Sequence, residues 1–376
     1  MSLLRILFVV DGYYPSNGGA EHQVQLLSST FAKMGHTVKV ITPRLDVTKP
    51  INDTVDGVVV ERIVYPKIPL LGAVILCIRY ALKLIFKYRD YDAIHIHMAK
   101  NLAAATGFVR PLLRASMIVK VSGAWEFEGG ILDPAKKNHL LYKMLNTGIR
   151  RADYVQCLSR FTWKKLIEAG YPTNLLRMIP NAVDISRFET RLHTEDKLSG
   201  LKKVVYVGRL RRVKGLTVLL EAWAKLNHHQ NTRLIIAGDG DLRNELLENI
   251  QRLKISNSVE LLGEISDIPR LLRDAYVYVQ PSFQEGMPNS VLEAMAAGLP
   301  IVATQVSGNE DLVRPNDNGL LVPAGDSDTL AAAIQQLLDN PVWANQMGIR
   351  SYQYAIKHYG LASVIEQLTR AYRREL

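Results

Sequence analysis

At 376 residues, 48% hydrophobic and 22% charged, the chain is long enough for two domains and has the make-up of a water-facing globular protein. Its two cysteines, Cys77 and Cys157, exclude a disulfide framework and a cysteine metal site, so a reducing cytoplasm is the expected compartment. The net charge of +10 invites a nucleic-acid reading, but it is unevenly spread: residues 1–185 hold 24 Lys and Arg against 14 Asp and Glu, and residues 186–376 hold 22 against 22. The basic half lacks the aromatic interleaving and the recognised modules of a nucleic-acid binder, which argues against that partner.

In chain order, Arg5 to Val10 reads as a buried strand whose apolar run, Ile6 to Val10, is too short for a secretory signal. Asp11 to Glu21 follows as a loop, and Gly18 and Gly19 precede an apolar-periodic helix from about Ala20 to Met34. Strand, glycine loop and helix start make a geometry that cradles phosphate, although paired glycines alone are a weak signal. Strands are expected at Thr37 to Thr42 and Val58 to Val64. Ile68 to Tyr88 is apolar and then punctuated by Arg79, Lys83 and Lys87, with Arg89 just beyond. That run is too short to span a bilayer, and two readings stay open: an amphipathic helix lying on a membrane, or a core helix with a solvated basic face.

Tyr91 to His97 is a strand that puts His95 and His97 on one face, with no further ligand spaced to complete a metal site. Met117 to Val121 is a strand opening into Ser122 and Glu126. Lys136 to Arg151 is helical, Tyr154 to Leu158 a strand, and Phe161 to Ala169 a helix. Pro180-Asn181-Ala182-Val183-Asp184 precedes a polar, irregular stretch at 189–201 that reads as a linker. The βα rhythm then restarts with the strand Lys203 to Val207 and the loop Gly208 to Gly215, in which Arg209 and Lys214 are fixed cations while Arg211 and Arg212 are expected to face water. Asp239-x-Asp241 and Asp326-x-Asp328 have the form of metal-binding pairs, but Gly238 and Gly240 read as a turn, and no metal is expected.

The most informative stretch runs from Tyr278 to Thr304: strand, tight loop, short helix, strand. Gly286, Met287, Pro288 and Asn289 form the loop, Ser290 is placed to cap the helix, and Gly298 and Pro300 close it. A helix N-terminus there offers unpaired N–H groups to an anion, and a nearby carboxylate suits hydroxyl groups. Phosphate plus hydroxyls describes a nucleotide sugar. Glu293 has a second reading, since Ser290-x-x-Glu293 also matches a capping box. Glu285, on the loop, caps nothing obvious.

Glu285-x7-Glu293, with Pro281-Ser282 before it and Ala294 to Pro300 after it, resembles the signature of the retaining glycosyltransferases of the GT-B fold, family four. Pro180 to Asp184 and Gly208-Arg209-Leu210 with Lys214-Gly215 resemble further segments of that family, so the likeness covers nearly the whole chain. It implies an α/β protein with two Rossmann-like doubly wound domains facing a central cleft. The expected division is an acceptor-side domain at 1–188, a nucleotide-sugar domain at 202–357, and a last helix near 358–376 crossing back. The resemblance also implies roles. Glu285 faces the donor sugar, Glu293 grips the ribose, and Arg209 and Lys214 hold the diphosphate, with Gly18, Gly19, Asn181, Gly208, Gly286, Met287, Pro288, Asn289 and Ser290 around the donor. Where relatives often carry a sugar-contacting histidine this chain has Ser122, with Glu126 nearby, and Glu21 and His97 complete the expected acceptor or sugar side.

The implied reaction moves a sugar, from a UDP-sugar, to a hydroxyl of a glycan or lipid-linked acceptor in cell-surface polysaccharide or glycolipid synthesis. No cofactor or metal is expected. Charge on the first half adds an anionic membrane surface as a partner, giving peripheral attachment at the inner face of the plasma membrane through Arg79, Lys83, Lys87 and Arg89. A GT-B nucleotide-sugar epimerase and a non-catalytic sugar-nucleotide or nucleic-acid binder are the alternatives.

Overall fold

The computed structural model describes residues 2–16, 18–123, 126–188, 200–226 and 231–376; residues 189–199 of the expected linker lie outside the described residues. The chain divides into two compact units, Met1–Ala182 with Val364–Leu376, and Val183–Ser363.

The first unit opens with β1 (Arg5–Val10), α1 (Gly19–Lys33), β2 (Thr37–Pro43), β3 (Asn52–Val55) and β4 (Val58–Ile63). It continues through α2 (Leu71–Lys87), β5 (Ala93–His97), α3 (Asn101–Val109), β6 (Ser116–Val121), α4 (Leu140–Ile149), β7 (Tyr154–Cys157), α5 (Arg160–Glu168) and β8 (Leu176–Met178). Its eight strands lie in the order β3-β4-β2-β1-β5-β6-β7-β8, parallel except for β3, which pairs antiparallel with β4. Ile6 to Val10, every residue of β5 and every residue of β6 are buried, as parallel strands covered on both faces require. The order reverses between β1 and β5, so the loops after Val10 and after His97 meet at a switch point, where Lys100 Nζ donates to the Asp11 carbonyl at 3.2 Å.

The second unit repeats the plan. β9 (Lys202–Val207), α6 (Leu216–Lys225), β10 (Thr232–Ala237), α7 (Arg243–Arg252), β11 (Val259–Gly263) and α8 (Ile268–Arg273) come first. β12 (Val277–Gln280), α9 (Asn289–Ala296), β13 (Ile301–Thr304), α10 (Asn309–Leu312), β14 (Gly319–Val322), α11 (Ser327–Asp339), α12 (Pro341–Tyr359) and α13 (Leu361–Tyr372) follow. The sheet order is β11-β10-β9-β12-β13-β14, all parallel. Here the reversal falls between β9 and β12. The loop carrying Arg209 leaves the first of those strands, and the loop carrying Glu285 leaves the second. In an open α/β sheet that crevice is where ligands bind.

From Val364 onward the last helix and tail belong to the first unit. Tyr372 Oη meets His95 Nδ1 at 2.8 Å, Ser116 Oγ donates to the Ala371 carbonyl, and Tyr154 Oη reaches the carbonyl of Leu376.

Candidate active site

Two loops build the site in the second unit, and glycines let them touch. A Cβ on Gly215 would lie 2.0 Å from the Pro281 carbonyl oxygen, and one on Gly308 would lie 2.3 Å from that of Gly286. Both residues hold positive φ, +66° and +83°, so only glycine fits without strain at either place. The Phe283 N–H donates to the Val213 carbonyl at 2.8 Å and ties the loop after β9 to the loop after β12.

Glu285 lies in the second loop, 7% exposed, and its Oε1 collects three donors. Lys214 Nζ is at 2.6 Å, Gln280 Nε2 at 2.6 Å and Ser282 Oγ at 2.7 Å. Among the described residues Oε2 accepts no hydrogen bond, so one oxygen is fixed and the other is left for a ligand. A support lies beneath: Tyr278 Oη donates to Gln280 Oε1 at 2.8 Å, orienting the amide that holds the carboxylate. Ser307 Oγ donates to the Glu285 carbonyl, and Thr304 Oγ1 to that of Ser282.

Lys214, expected on a diphosphate, is therefore ion-paired with Glu285, its side chain 24% exposed. An ammonium has three donors, and two remain. Arg209 is exposed at the end of β9, and among the described residues its guanidinium has no partner; Tyr206 Oη holds its carbonyl at 3.2 Å. Arg211 is exposed as expected, and Arg212 reaches Glu245 at 3.3 Å.

The capping-box reading of Ser290-x-x-Glu293 is corrected. The cap of α9 is Pro288, no side chain bonds there, and Ser290 sits inside the first turn, where its Oγ points at Gln280 Oε1, 3.5 Å away. The tight, proline-fixed entry moves the helix start ahead of the serine, and Pro288 itself has no side chain that could cap the first turn. Glu293 is half-buried on α9; burial pushes its carboxyl up to about 7, against the opposing pull of the Arg187 charge. Arg187 was not anticipated, because nothing in its own segment marks it.

In the first unit Gly18 is the cap of α1 and Gly19 its first residue, at the switch-point end of β1. Glu21 lies in the first turn, with Oε1 2.4 Å from where a Cβ on Gly12 would stand. Three of the expected residues are buried. Glu126 is fully buried, and its carboxylate accepts the backbone N–H groups of Ala99, Ser122 and Gly123 at 2.8, 2.5 and 2.8 Å, which fixes loop ends rather than a sugar. His97 is fully buried against His95, ring centroids 4.4 Å apart, so it does not face an acceptor. Burial with the nearby Lys120 charge holds it well below the usual imidazole range, uncharged. Asn181 is buried too, its Oδ1 accepting from Lys120 Nζ at 2.7 Å, which braces β6. Ser122 is half-buried beside Glu126, and Ala124 and Trp125 lie outside the described residues.

The first unit also has an open cavity of about 790 Å3 that single residues did not announce. Lys100, Lys136, His139 and the acidic Glu128 line it with the apolar Ile131, Leu141 and Leu145.

Asp239 accepts its neighbour Gly240 N–H in an exposed turn, and Asp326 caps α11 through the N–H groups of Asp328 and Thr329. Among the described residues no three His, Cys, Asp or Glu side chains gather as a metal would need.

Comparison with known proteins agrees with this geometry. The family of glycosyl transferases group 1 matches residues 189–354, and glycosyltransferase family 4 matches residues 17–187. The UDP-Gal:alpha-D-GlcNAc-diphosphoundecaprenol alpha-1,3-galactosyltransferase of Escherichia coli is 30% identical over 271 residues, 69% of either chain. The N-acetyl-alpha-D-glucosaminyl L-malate synthase of Bacillus anthracis is 23% identical over 368 residues, 96% of this chain and 94% of that one. Among solved structures, sucrose-phosphate synthase from Thermosynechococcus elongatus superposes with a TM-score of 0.81 at 22% identity, over 98% of each chain. Anabaena HepE in complex with UDP gives 0.78 at 21%, over 98% of this chain and 99% of that one. The chain belongs to the family-four, group 1 glycosyltransferases, and its two Rossmann-like sheets are those of the GT-B fold.

Proposed function

We propose that the protein transfers a sugar from a UDP-sugar, with retention at the anomeric carbon, to a hydroxyl of a lipid-linked or glycan acceptor, without a metal ion. The observation that carries the reading is the anchored Glu285, one oxygen held by Lys214, Gln280 and Ser282, directly before the N-terminus of α9. Arg209, the two remaining Lys214 donors and the first-turn N–H groups of α9 then serve the diphosphate, where charge grows as the anomeric bond breaks. Glu293 takes the ribose hydroxyls. The free oxygen of Glu285 faces the sugar. The acceptor proton passes to the leaving phosphate oxygen, so no protein base is needed.

The UDP donor is supported by the E. coli relative, named for UDP-Gal, and by HepE, whose structure contains UDP. The same relative is named for a diphosphoundecaprenol-linked acceptor. The first unit's cavity, in which Lys100, Lys136 and His139 outnumber Glu128 beside apolar walls, suits an acceptor of that class, with an anionic head and an apolar neighbour.

A panel of nucleotide sugars, with and without lipid-diphosphate acceptors, tests the reading by following released nucleoside diphosphate in excess chelator. Release of UDP that needs an acceptor, with an α-linked product from an α-donor, is expected. Activity lost in chelator and restored by manganese or magnesium overturns the metal-free account. Conversion of the donor without any acceptor makes the enzyme an epimerase.

A further inference from the structure

Helix α2 faces the wrong way for a water-facing helix. Its core stripe is ordinary: Gly72, Leu76, Tyr80 and Leu84 are buried at four-residue spacing. Its two lysines, however, turn inward. Lys83 Nζ and Lys87 Nζ reach the carboxylate of Glu61 on β4 at 2.5 and 2.6 Å, and Tyr88 Oη joins them at 2.5 Å. Glu61 is 3% exposed, and burial alone would raise its carboxyl, but these three donors outweigh burial and hold it down to about 2. Lys83 and Lys87 thus each spend a donor on Glu61, while their side chains stay 36% and 51% exposed.

What faces outward instead is apolar. Leu71, Val74, Ile78 and Leu82 are 48–55% exposed and Phe86 is 81% exposed, on the side opposite the core stripe. Water selects against such a row, and large exposed apolar patches mark interaction sites. α3 packs beside α2, and α4 packs beside α3. Leu140, at the start of α4, is 83% exposed and adds to the apolar outer surface of this helical layer.

Charge identifies the occupant. From Arg62 to Arg89 the chain holds six cations and no Asp or Glu. Of these, Lys67, Arg79, Lys87 and Arg89 are exposed, with one donor of Lys67 on the Arg44 carbonyl and one of Arg79 on the Val64 carbonyl. The first unit as a whole carries 27 Lys and Arg against 15 Asp and Glu, net +12, while the second carries 19 against 21, net −2. An apolar stripe ringed by cations on a strongly basic unit is complementary to an anionic lipid surface, which offers acyl chains below and phosphate above. No described helix is long and apolar enough to cross a membrane, which leaves α2 lying along one.

We propose that α2 docks the first unit on an anionic bilayer, with Val74, Ile78, Leu82 and Phe86 in the headgroup–acyl boundary and with Arg89 and the remaining donors of Lys67, Arg79 and Lys87 on lipid phosphate. The inference does not depend on the donor or the reaction, and it is tested without nucleotide. The full chain is floated with phosphatidylcholine vesicles and with vesicles containing phosphatidylglycerol. Wild type should rise with the anionic vesicles, and salt should weaken that binding without abolishing it, because part of it is apolar. An Ile78→Ser, Phe86→Ser double variant should bind at least about tenfold more weakly, with its melting temperature unchanged because both side chains point outward. A Phe86→Trp variant gives a second readout: its emission should shift to the blue on anionic vesicles and be quenched by brominated acyl chains. Several results overturn the proposal: no flotation, equal flotation of the double variant, or an indole that stays in water. So does a solution dimer that Phe86→Ser dissociates, which would make a second copy of the chain the occupant.

Discussion

At the residue scale, the two acids of the signature motif behave differently. Glu285 is held as a partner of Lys214, whereas Glu293 sits half-buried with its carboxyl pushed up to about 7. A folded-state pKa above the unfolded value means the folded protein binds the extra proton. Glu293 therefore costs stability progressively as pH rises from its unfolded range through about 7. Hydroxyl donors on the ribose favour the ionised form, so donor affinity should rise from about pH 6 to about pH 8. Glu293→Gln should flatten that profile and weaken donor binding at least about tenfold, each charge-assisted hydrogen bond being worth roughly 1.5–3 kcal/mol. Its melting temperature at alkaline pH should not fall. Titration calorimetry with UDP across that range is the check, and a wild-type-like profile in the variant would remove Glu293 from the ribose.

Lys214 differs from Arg209 at the same scale. Lys214→Ala strips a cation from the nearly buried Glu285, so it should cost about 1–3 kcal/mol of stability as well as turnover. Lys214→Ala with Glu285→Gln should regain the stability and not the turnover, which thermal melts and kcat together would read.

At the scale of elements, Gly308 gives the clearest test of how the loops are held. Gly308→Ala places a Cβ 2.3 Å from the Gly286 carbonyl oxygen at φ +83°. The variant should lose about 1–3 kcal/mol in a chemical-denaturation curve and weaken UDP binding, because the α9 N-terminus must shift. A silent variant would mean the loop is not rigid there.

The helices and strands that carry the glycine loops were legible from periodicity and punctuation: β1 with α1, β9 with α6, and β12 with α9. α11 is not assigned from the sequence, and Asp326 marks its N-cap through two N–H bonds at 3.0 Å. β3 was missed because Asn52 to Val55 is short, polar and only half covered. Burial was the larger gap. Nothing local says that Glu126, His97 and Asn181 turn inward, since their partners at Ala99, His95 and Lys120 come from the sheet's tertiary order. The reversal of α2 is of the same kind. Nothing local in it says that Glu61, which lies on another element, pairs with both lysines.

At the scale of the whole molecule, each sheet reverses its order next to its first strand. Charge divides the same way, with a basic first unit and a nearly neutral second. On the proposed reading the labour divides with the charge: the near-neutral unit gathers a few fixed cations on a small anion, and the basic unit meets a surface or an anionic acceptor. The central claim is that the loops after β9 and β12 form the donor diphosphate site. Steady-state turnover of Arg209→Ala beside Arg211→Ala tests it most directly, since the two exposed arginines stand two residues apart and only the first is assigned to the diphosphate. Arg209→Ala should lower kcat by about 10²–10³ with little change in donor KM or melting temperature, while Arg211→Ala stays close to wild type. Equal damage from both, or full turnover without Arg209, would contradict the account.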